Sequence, residues 1–208
     1  MPKRRGKFIV FDGLDGSGKT TQAAAIARNL SEPQNKLIFG LKGVHLTREP
    51  TSNLIGGLIR SQLSHDWRSS PQCLQLLFAA DRAYHLEKEI LPLLERGVAV
   101  VSDRYFFSSF AYGALDLDMD WLFEINKKFL VPDISFFIDV SPKICIERIK
   151  EERFGMTLFE KEKELAHVRV NYLKLAKRFK NMFVIDGEES IDVVTQLIIK
   201  ILNVKLQK

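Results

Sequence analysis

The chain has 208 residues, with 31 lysines and arginines against 26 aspartates and glutamates, a formal net charge of +5. Apolar residues make up 46% and charged residues 27%, a balance that excludes a disordered or low-complexity chain and fits one folded domain with a sizeable core. No apolar run approaches the roughly 20 residues of a membrane span, so no membrane association is expected. The positive excess is mild and shows no long basic face, which argues against nucleic-acid binding and suits an enzyme that gathers arginines around polyanionic nucleotides. Lys3-Arg4-Arg5 reads as a solvated tail. The apolar run behind it stops at Asp12, too short for a secretory leader, so a cytoplasmic protein is expected. Cys73 and Cys145 have no CxxC partner and read as buried small hydrophobes rather than a disulfide or a metal site.

In chain order, Phe8–Phe11 reads as a buried strand, and Thr21–Ala27 as the start of a helix. Between them Gly13-Leu14-Asp15-Gly16-Ser17-Gly18-Lys19-Thr20 fits G-x-x-x-x-G-K-[ST], the phosphate-binding loop, in the strand–loop–helix context that the motif requires. Gly13, Gly16 and Gly18 let backbone N–H groups converge on a polyphosphate, and the helix N-terminus adds partial positive charge there. Lys19 has the reach for the β- and γ-phosphates, and the Thr20 hydroxyl is placed for a magnesium ion. Asp15 is either a turn-forming residue or faces a hydroxyl of a second substrate.

Further apolar, β-rich runs at Val44–Thr47, Val98–Ser102, Ile134–Val140 and Met182–Ile185 alternate with helical patterns. One is the stripe Leu165, Val168, Tyr172, Leu175, Phe179; another is Ile191, Val194, Ile198, Ile201. This alternation predicts an α/β fold of three layers, a five-stranded parallel sheet flanked by helices, in which ligands bind beyond the carboxyl ends of the strands. With no internal repeat or linker, residues 1–208 read as a single domain.

The chemistry is therefore sought after each strand. After the second, Arg48-Glu49-Pro50 forms either an ordinary ion pair or part of an acceptor site, with Pro50 turning the chain out of the sheet. In the next helix Phe78 and Arg82 share a face, pairing a flat ring with a planar cation. That pair suits a nucleobase, or else is a core phenylalanine beside a surface arginine. After the third strand Asp103 is placed to hold magnesium directly or through water, and Arg104 to clamp a phosphate. Tyr105, Ser108, Ser109 and Tyr112 are spaced to wall a small pocket. After the fourth come Glu147-Arg148-Ile149-Lys150 and a polar stretch with Arg153 and the pliable Gly155, read as a flap over about 148–158. After the fifth, Asp186-Gly187 makes a turn that reads as a rim for adenine.

Together these segments resemble the thymidylate (dTMP) kinases of the nucleoside-monophosphate kinase group of P-loop NTPase proteins. The resemblance rests on Phe11–Gln22, Leu46–Pro50, Leu77–Arg82, Asp103-Arg104-Tyr105 with Ser108-Ser109 and Ala111-Tyr112, Pro132-Asp133, and Phe159-Glu160, all in family order across nearly the whole chain. It implies that Gly13, Asp15, Gly16, Ser17, Gly18, Lys19, Thr20 and Thr21 serve ATP, with Arg148 and Asp186 on the same side. It implies that Asp15 takes the acceptor sugar's 3′-hydroxyl and that Arg48 lines the acceptor site. Phe78 would stack on thymine, Arg82 bond its carbonyl edge, Ser109 stand near that edge, and Tyr112 crowd the 2′ position. Arg104 would clamp the acceptor phosphate, with Thr20 and Asp103 at Mg²⁺. Gly16 leaves the phosphate loop without the arginine that some members carry there, which points to the flap and first to Arg153. The sequence departs from the family's common pattern at Asp12 (often Glu), at Thr51-Ser52-Asn53 (often a glycine pair) and at Gly113, where many members carry a glutamine.

The reading is ATP-dependent phosphorylation of dTMP to dTDP, feeding dTTP synthesis, by a homodimer that binds ATP and dTMP but neither nucleic acid nor membrane. The alternatives are a kinase for dUMP, UMP or a deoxynucleoside, or a P-loop switch. The switch would need a guanine-reading Asn-Lys-x-Asp, and Asn126-Lys127-Lys128-Phe129 lacks the aspartate.

Overall fold

A computed structural model describes residues 6–150 and 158–206; Arg153 and most of the expected flap lie outside the described residues. Five strands, β1 (Phe8–Gly13), β2 (Gly43–Arg48), β3 (Val98–Asp103), β4 (Ile134–Asp139) and β5 (Met182–Asp186), form one parallel sheet in the order β2-β3-β1-β4-β5. β1 lies at the centre and is buried along its whole length. A parallel strand covered on both faces reads as a continuous apolar run, not as alternation, and Phe8–Phe11 is such a run.

β1, β2, β3 and β5 extend a residue or two past their apolar runs, and those added residues carry the chemistry. Because every strand points the same way, Gly13, Arg48, Asp103, Asp139 and Asp186 all arrive at one edge, with Arg48 level with Asp103 and Asp139 level with Asp186. The strand expected over 134–140 ends at Asp139, and Val140 is buried in the turn that follows.

Helix α1 (Lys19–Ser31) lies against β1, β2 and β3 and packs on α10 (Ile191–Leu206), which covers β5. The short α2 (Pro33–Phe39) follows α1, and α3 (Leu54–Leu63) packs on α4 (Pro71–His85). α4 continues through a widened π-helical turn, Leu86–Ile90, into α5 (Leu91–Glu95). The Leu91 N–H reaches back to the Leu86 carbonyl there, just before Pro92, whose ring and missing N–H an ordinary helical turn accommodates poorly. The remaining helices are α6 (Phe106–Gly113), α7 (Met119–Asn126), α8 (Pro142–Lys150) and α9 (Leu158–Arg178).

α6 and α9 pack on each other and on β1, β4 and β5. The Tyr172 ring of α9 stacks on Phe137 of β4 at 4.7 Å, and Phe107 and Phe110 of α6 meet Phe179 just past the end of α9. Each such ring contributes roughly 1.5–3 kcal/mol by leaving water. The effect for the site is positional, because the stacked Tyr172 carries its hydroxyl under the carboxyl end of β1. Both cysteines are free. Cys145 is buried as expected, whereas Cys73, in the first turn of α4, is only half-buried.

Candidate active site

The phosphate loop takes the shape its glycines allow. Gly16 and Gly18 have φ of 82° and 86°, the left-handed region where a side chain is strained. Gly18 caps α1 without a side-chain hydrogen bond, so the first N–H groups of that helix face the loop unclaimed by any cap. Gly16 is pressed against α8: a Cβ there would collide with the Cys145 carbonyl oxygen and lie 3.0 Å from Ile149. An arginine at this loop position is therefore incompatible with the packing of α8.

Lys19 is buried, its ammonium 3.3 Å from the Leu14 carbonyl and 3.4 Å from Asp15, and burial pulls its pKa below the usual lysine range. The Thr20 hydroxyl donates to Asp103 Oδ2 at 2.5 Å, while Asp103 Oδ1 is buried and has no partner among the described residues. This pair offers hard oxygen donors, one of them unused, and such donors suit magnesium, which keeps phosphate oxygens and water as most of its ligands.

Arg104 follows β3 with φ of 72°, an uncommon value for a residue with a side chain, and its N–H is tied to the Phe11 carbonyl at 2.8 Å. Its guanidinium donates to Asp15 at 2.6 Å and to Ser108 at 2.7 Å and lies over the Tyr112 ring at 5.4 Å. Burial disfavours its charge, yet Tyr112, Asp15 and Asp12 hold its pKa well above the usual value. Although desolvation works against ionisation of Asp15, Arg104 and Lys19 win and hold that carboxyl at about 2. Ser108 in turn donates to Asp12 at 2.5 Å, and the Tyr172 hydroxyl donates to the same oxygen at 3.0 Å.

Two cavities meet at the loop. The first, of about 430 Å³, is lined by Asp15, Phe78, Arg82, Arg104, Ser109 and Tyr112, together with Tyr105 and Ser108. Phe78 is half-buried there. Arg82 is 1% exposed, which settles its reading as a surface arginine against it. It is held by Glu49 (Nε to Oε2, 2.9 Å), by Asn126 (2.5 Å) and by Ser109 (3.2 Å), between the rings of Tyr105 and Phe129. The other Glu49 oxygen faces His85 Nδ1 at 3.2 Å, so Glu49 is the ion-pair partner of Arg82 and not of Arg48.

The second cavity, of about 750 Å³, is lined by Gly16, Ser17, Gly18, Lys19, Thr20 and Thr21, with Arg148 and Gly187 on its far wall. Arg148 donates to the Gly187 carbonyl at 3.2 Å. Asp186 is exposed and sits outside this lining. Its carboxylate accepts the Glu188 N–H at 3.0 Å and so shapes the turn that presents Gly187. Arg48 lies elsewhere too. At the end of edge strand β2 it is exposed and lines a separate depression of about 450 Å³ with Thr20 and Asp103, not the cavity of Phe78. Gly13 closes β1 beneath the loop, its Cα facing Ser17 closely.

Sequence reasoning missed Asn126 and Tyr172 as parts of this site. Tyr172 is one member of a regular apolar stripe, and Asn126 ends a short helix, so neither had a local signal.

Comparison with known proteins converges on one family. The family profile described as thymidylate kinase matches residues 11–198. A probable thymidylate kinase of Pyrococcus abyssi is 41% identical over 97% of this chain and 98% of its own length. A probable thymidylate kinase 1 of Saccharolobus solfataricus is 40% identical over 96% and 98%. Among solved structures, thymidylate kinase from Candida albicans aligns with a TM-score of 0.79 at 27% identity, covering 98% of this chain and 94% of that one. That from Ehrlichia chaffeensis gives 0.75 at 28% identity, covering 95% and 99%.

Proposed function

The chain belongs to the thymidylate kinase family, and from that premise we propose that it transfers the γ-phosphoryl group of ATP to the phosphate of dTMP, releasing dTDP and ADP. The observation that carries this reading is the meeting of two cavities at consecutive loop residues. Asp15 and Arg104 line the one with the aromatic ring, and Gly16 to Thr21 line the other. The first is the site of the acceptor and the second of ATP.

In this reading the acceptor phosphate attacks without a dedicated base, since it is already anionic, and the protein contributes position and charge. Lys19 and the loop N–H groups hold the β- and γ-phosphates. Arg104, fixed between Asp15 and Ser108, receives the acceptor phosphate, and Asp15 takes the 3′-hydroxyl. Phe78 supports the base, Arg82 and Ser109 meet its edge, and Tyr112 closes off the 2′ position. Thr20 and Asp103 would hold Mg²⁺, which neutralises phosphate charge when bound with ATP. Arg148, in the last turn of α8, serves the ATP side, and Arg153 is assigned to the flap as the cation that completes the reacting centre.

The single-domain organisation of residues 1–208, a cytoplasmic setting and a homodimer belong to the same reading. No described helix is long and apolar enough to cross a membrane. Leu54, Leu58 and Leu63 of α3 and Leu76 and Tyr84 of α4 leave two packed helices with large apolar side chains exposed, which supports self-association.

The test is ADP release measured with dTMP, dUMP, UMP and thymidine as acceptors. The expected outcome is acceptor-dependent release with the highest kcat/KM for dTMP. Release without an acceptor, or with the nucleoside alone, would overturn the assignment.

A further inference from the structure

Gln75 is among the polar groups of the acceptor cavity that the proposed mechanism does not use. Gln75 of α4 lies three residues before Phe78 and seven before Arg82, on the same helical face. It lines the same cavity and is 6% exposed. Its Oε1 is buried with no hydrogen-bond partner among the described residues. A buried amide oxygen left unpaired is costly, and native interiors keep few of them. Space has also been kept for it: a Cβ on Gly113 of α6 would lie 3.2 Å from the Gln75 side-chain carbon and 3.0 Å from a Leu122 methyl, so a larger residue at 113 would press on the amide.

We infer that Gln75 is a specificity-determining residue that reads the base of the acceptor, an inference that rests on the proposed dTMP kinase activity. A thymine edge presents one ring N–H between two carbonyls. The amide of Gln75 offers an acceptor for that N–H and donors for a carbonyl. Arg82 spends its Nε on Glu49 and one Nη1 hydrogen on Asn126, and keeps a second Nη1 N–H for the other carbonyl. Cytosine, with a lone pair in place of the ring N–H, faces Oε1 unfavourably. The bound base thus gives the Gln75 amide the partner it lacks among the described residues, and a base without the N–H does not. Sites built this way discriminate well, because the wrong ligand leaves a buried polar group unmatched.

The experiment is Gln75→Met, which keeps length and removes both polar atoms, with Gln75→Leu as a second variant. Steady-state kinetics on dTMP and dCMP, calorimetric binding of dTMP and the melting temperature are measured for each. The expected result is a rise of about tenfold in KM and Kd for dTMP and a similar fall in the dTMP-to-dCMP ratio of kcat/KM. KM for ATP and kcat stay within about twofold. Unchanged dTMP affinity and selectivity in a normally folded variant would overturn the inference, as would equal losses for ATP and dTMP. If wild-type protein itself failed to release ADP with dTMP, the proposed activity would fall instead, so the two failures are distinguishable.

Discussion

Asp12 ends the apolar part of β1, is fully buried, and keeps one oxygen without a partner among the described residues. Burial pushes its carboxyl from 3.8 up to about 6, against the lowering effect of hydrogen bonds from Ser108 and Tyr172 and the charge of Arg104. The folded state therefore holds this proton more tightly than the unfolded chain does. The stabilisation from protonated Asp12 is fully present below about pH 3.8 and is lost as pH rises through 6. Two pKa units correspond to about 3 kcal/mol, so the ionised form costs stability of that order at neutral pH. That cost is tolerated because the carboxylate orders Ser108, which in turn orders Arg104. Asp12→Asn takes up no proton. It is expected to flatten the fall in stability between pH 4 and 6, and to be more stable than wild type at pH 8 by about 1–3 kcal/mol. Urea unfolding of both proteins at four pH values between 4 and 8 checks this. Parallel pH profiles for the two proteins would show that Asp12 does not titrate in that window.

Among the elements, the phosphate loop and α8 work as one unit, joined at Gly16. Its backbone sits at φ of 82° and its Cα faces the Cys145 carbonyl of α8 without room for a methyl group. Gly16→Ala is expected to destabilise the protein by about 1–3 kcal/mol, from the left-handed backbone and the displaced helix together, and to raise KM for ATP more than KM for dTMP. Chemical denaturation and steady-state kinetics check it; equal stability would mean that α8 gives way freely. The same unit shows what was legible in the sequence. The loop, the five strands and the Phe78–Arg82 face were readable because each is a local pattern: a glycine spacing, an apolar run, a four-residue interval. The supports were not, because they come from chain-distant packing. Glu49 reaches Arg82 across 33 residues, Asn126 reaches it across 44, and Tyr172 reaches Asp12 across 160. Burial of Arg82 by Tyr105 and Phe129 likewise depends on how α4, α6 and α7 pack, and a heptad of sequence carries no trace of it. Arg48 illustrates the opposite case. Its place at the carboxyl edge was read correctly, but its strand is at the sheet's edge, so Arg48 lines the Asp103 depression rather than the cavity of Phe78.

At the scale of the whole molecule, a parallel sheet delivers every strand's carboxyl end to one rim, and the two cavities divide that rim at the phosphate loop. Two polyanions can lie there together only if the cations between them offset their repulsion, and Lys19 and Arg104 occupy that position, bridged by Asp15. A consequence can be measured without turnover. A non-hydrolysable ATP analogue and dTMP, each at about 100 times its Kd, should each stabilise the folded protein by about 2.7 kcal/mol, and by about twice that when added together. Ligands that shared one cavity would compete, and the second would add almost nothing. Stabilisation beyond the sum would mean that one nucleotide orders the cations for the other, and the excess would equal the coupling free energy between the two sites. Denaturant titrations with neither, each and both ligands give all four values. A combined shift no larger than the greater single shift would show that the two cavities are not separate nucleotide sites, whatever either binds alone.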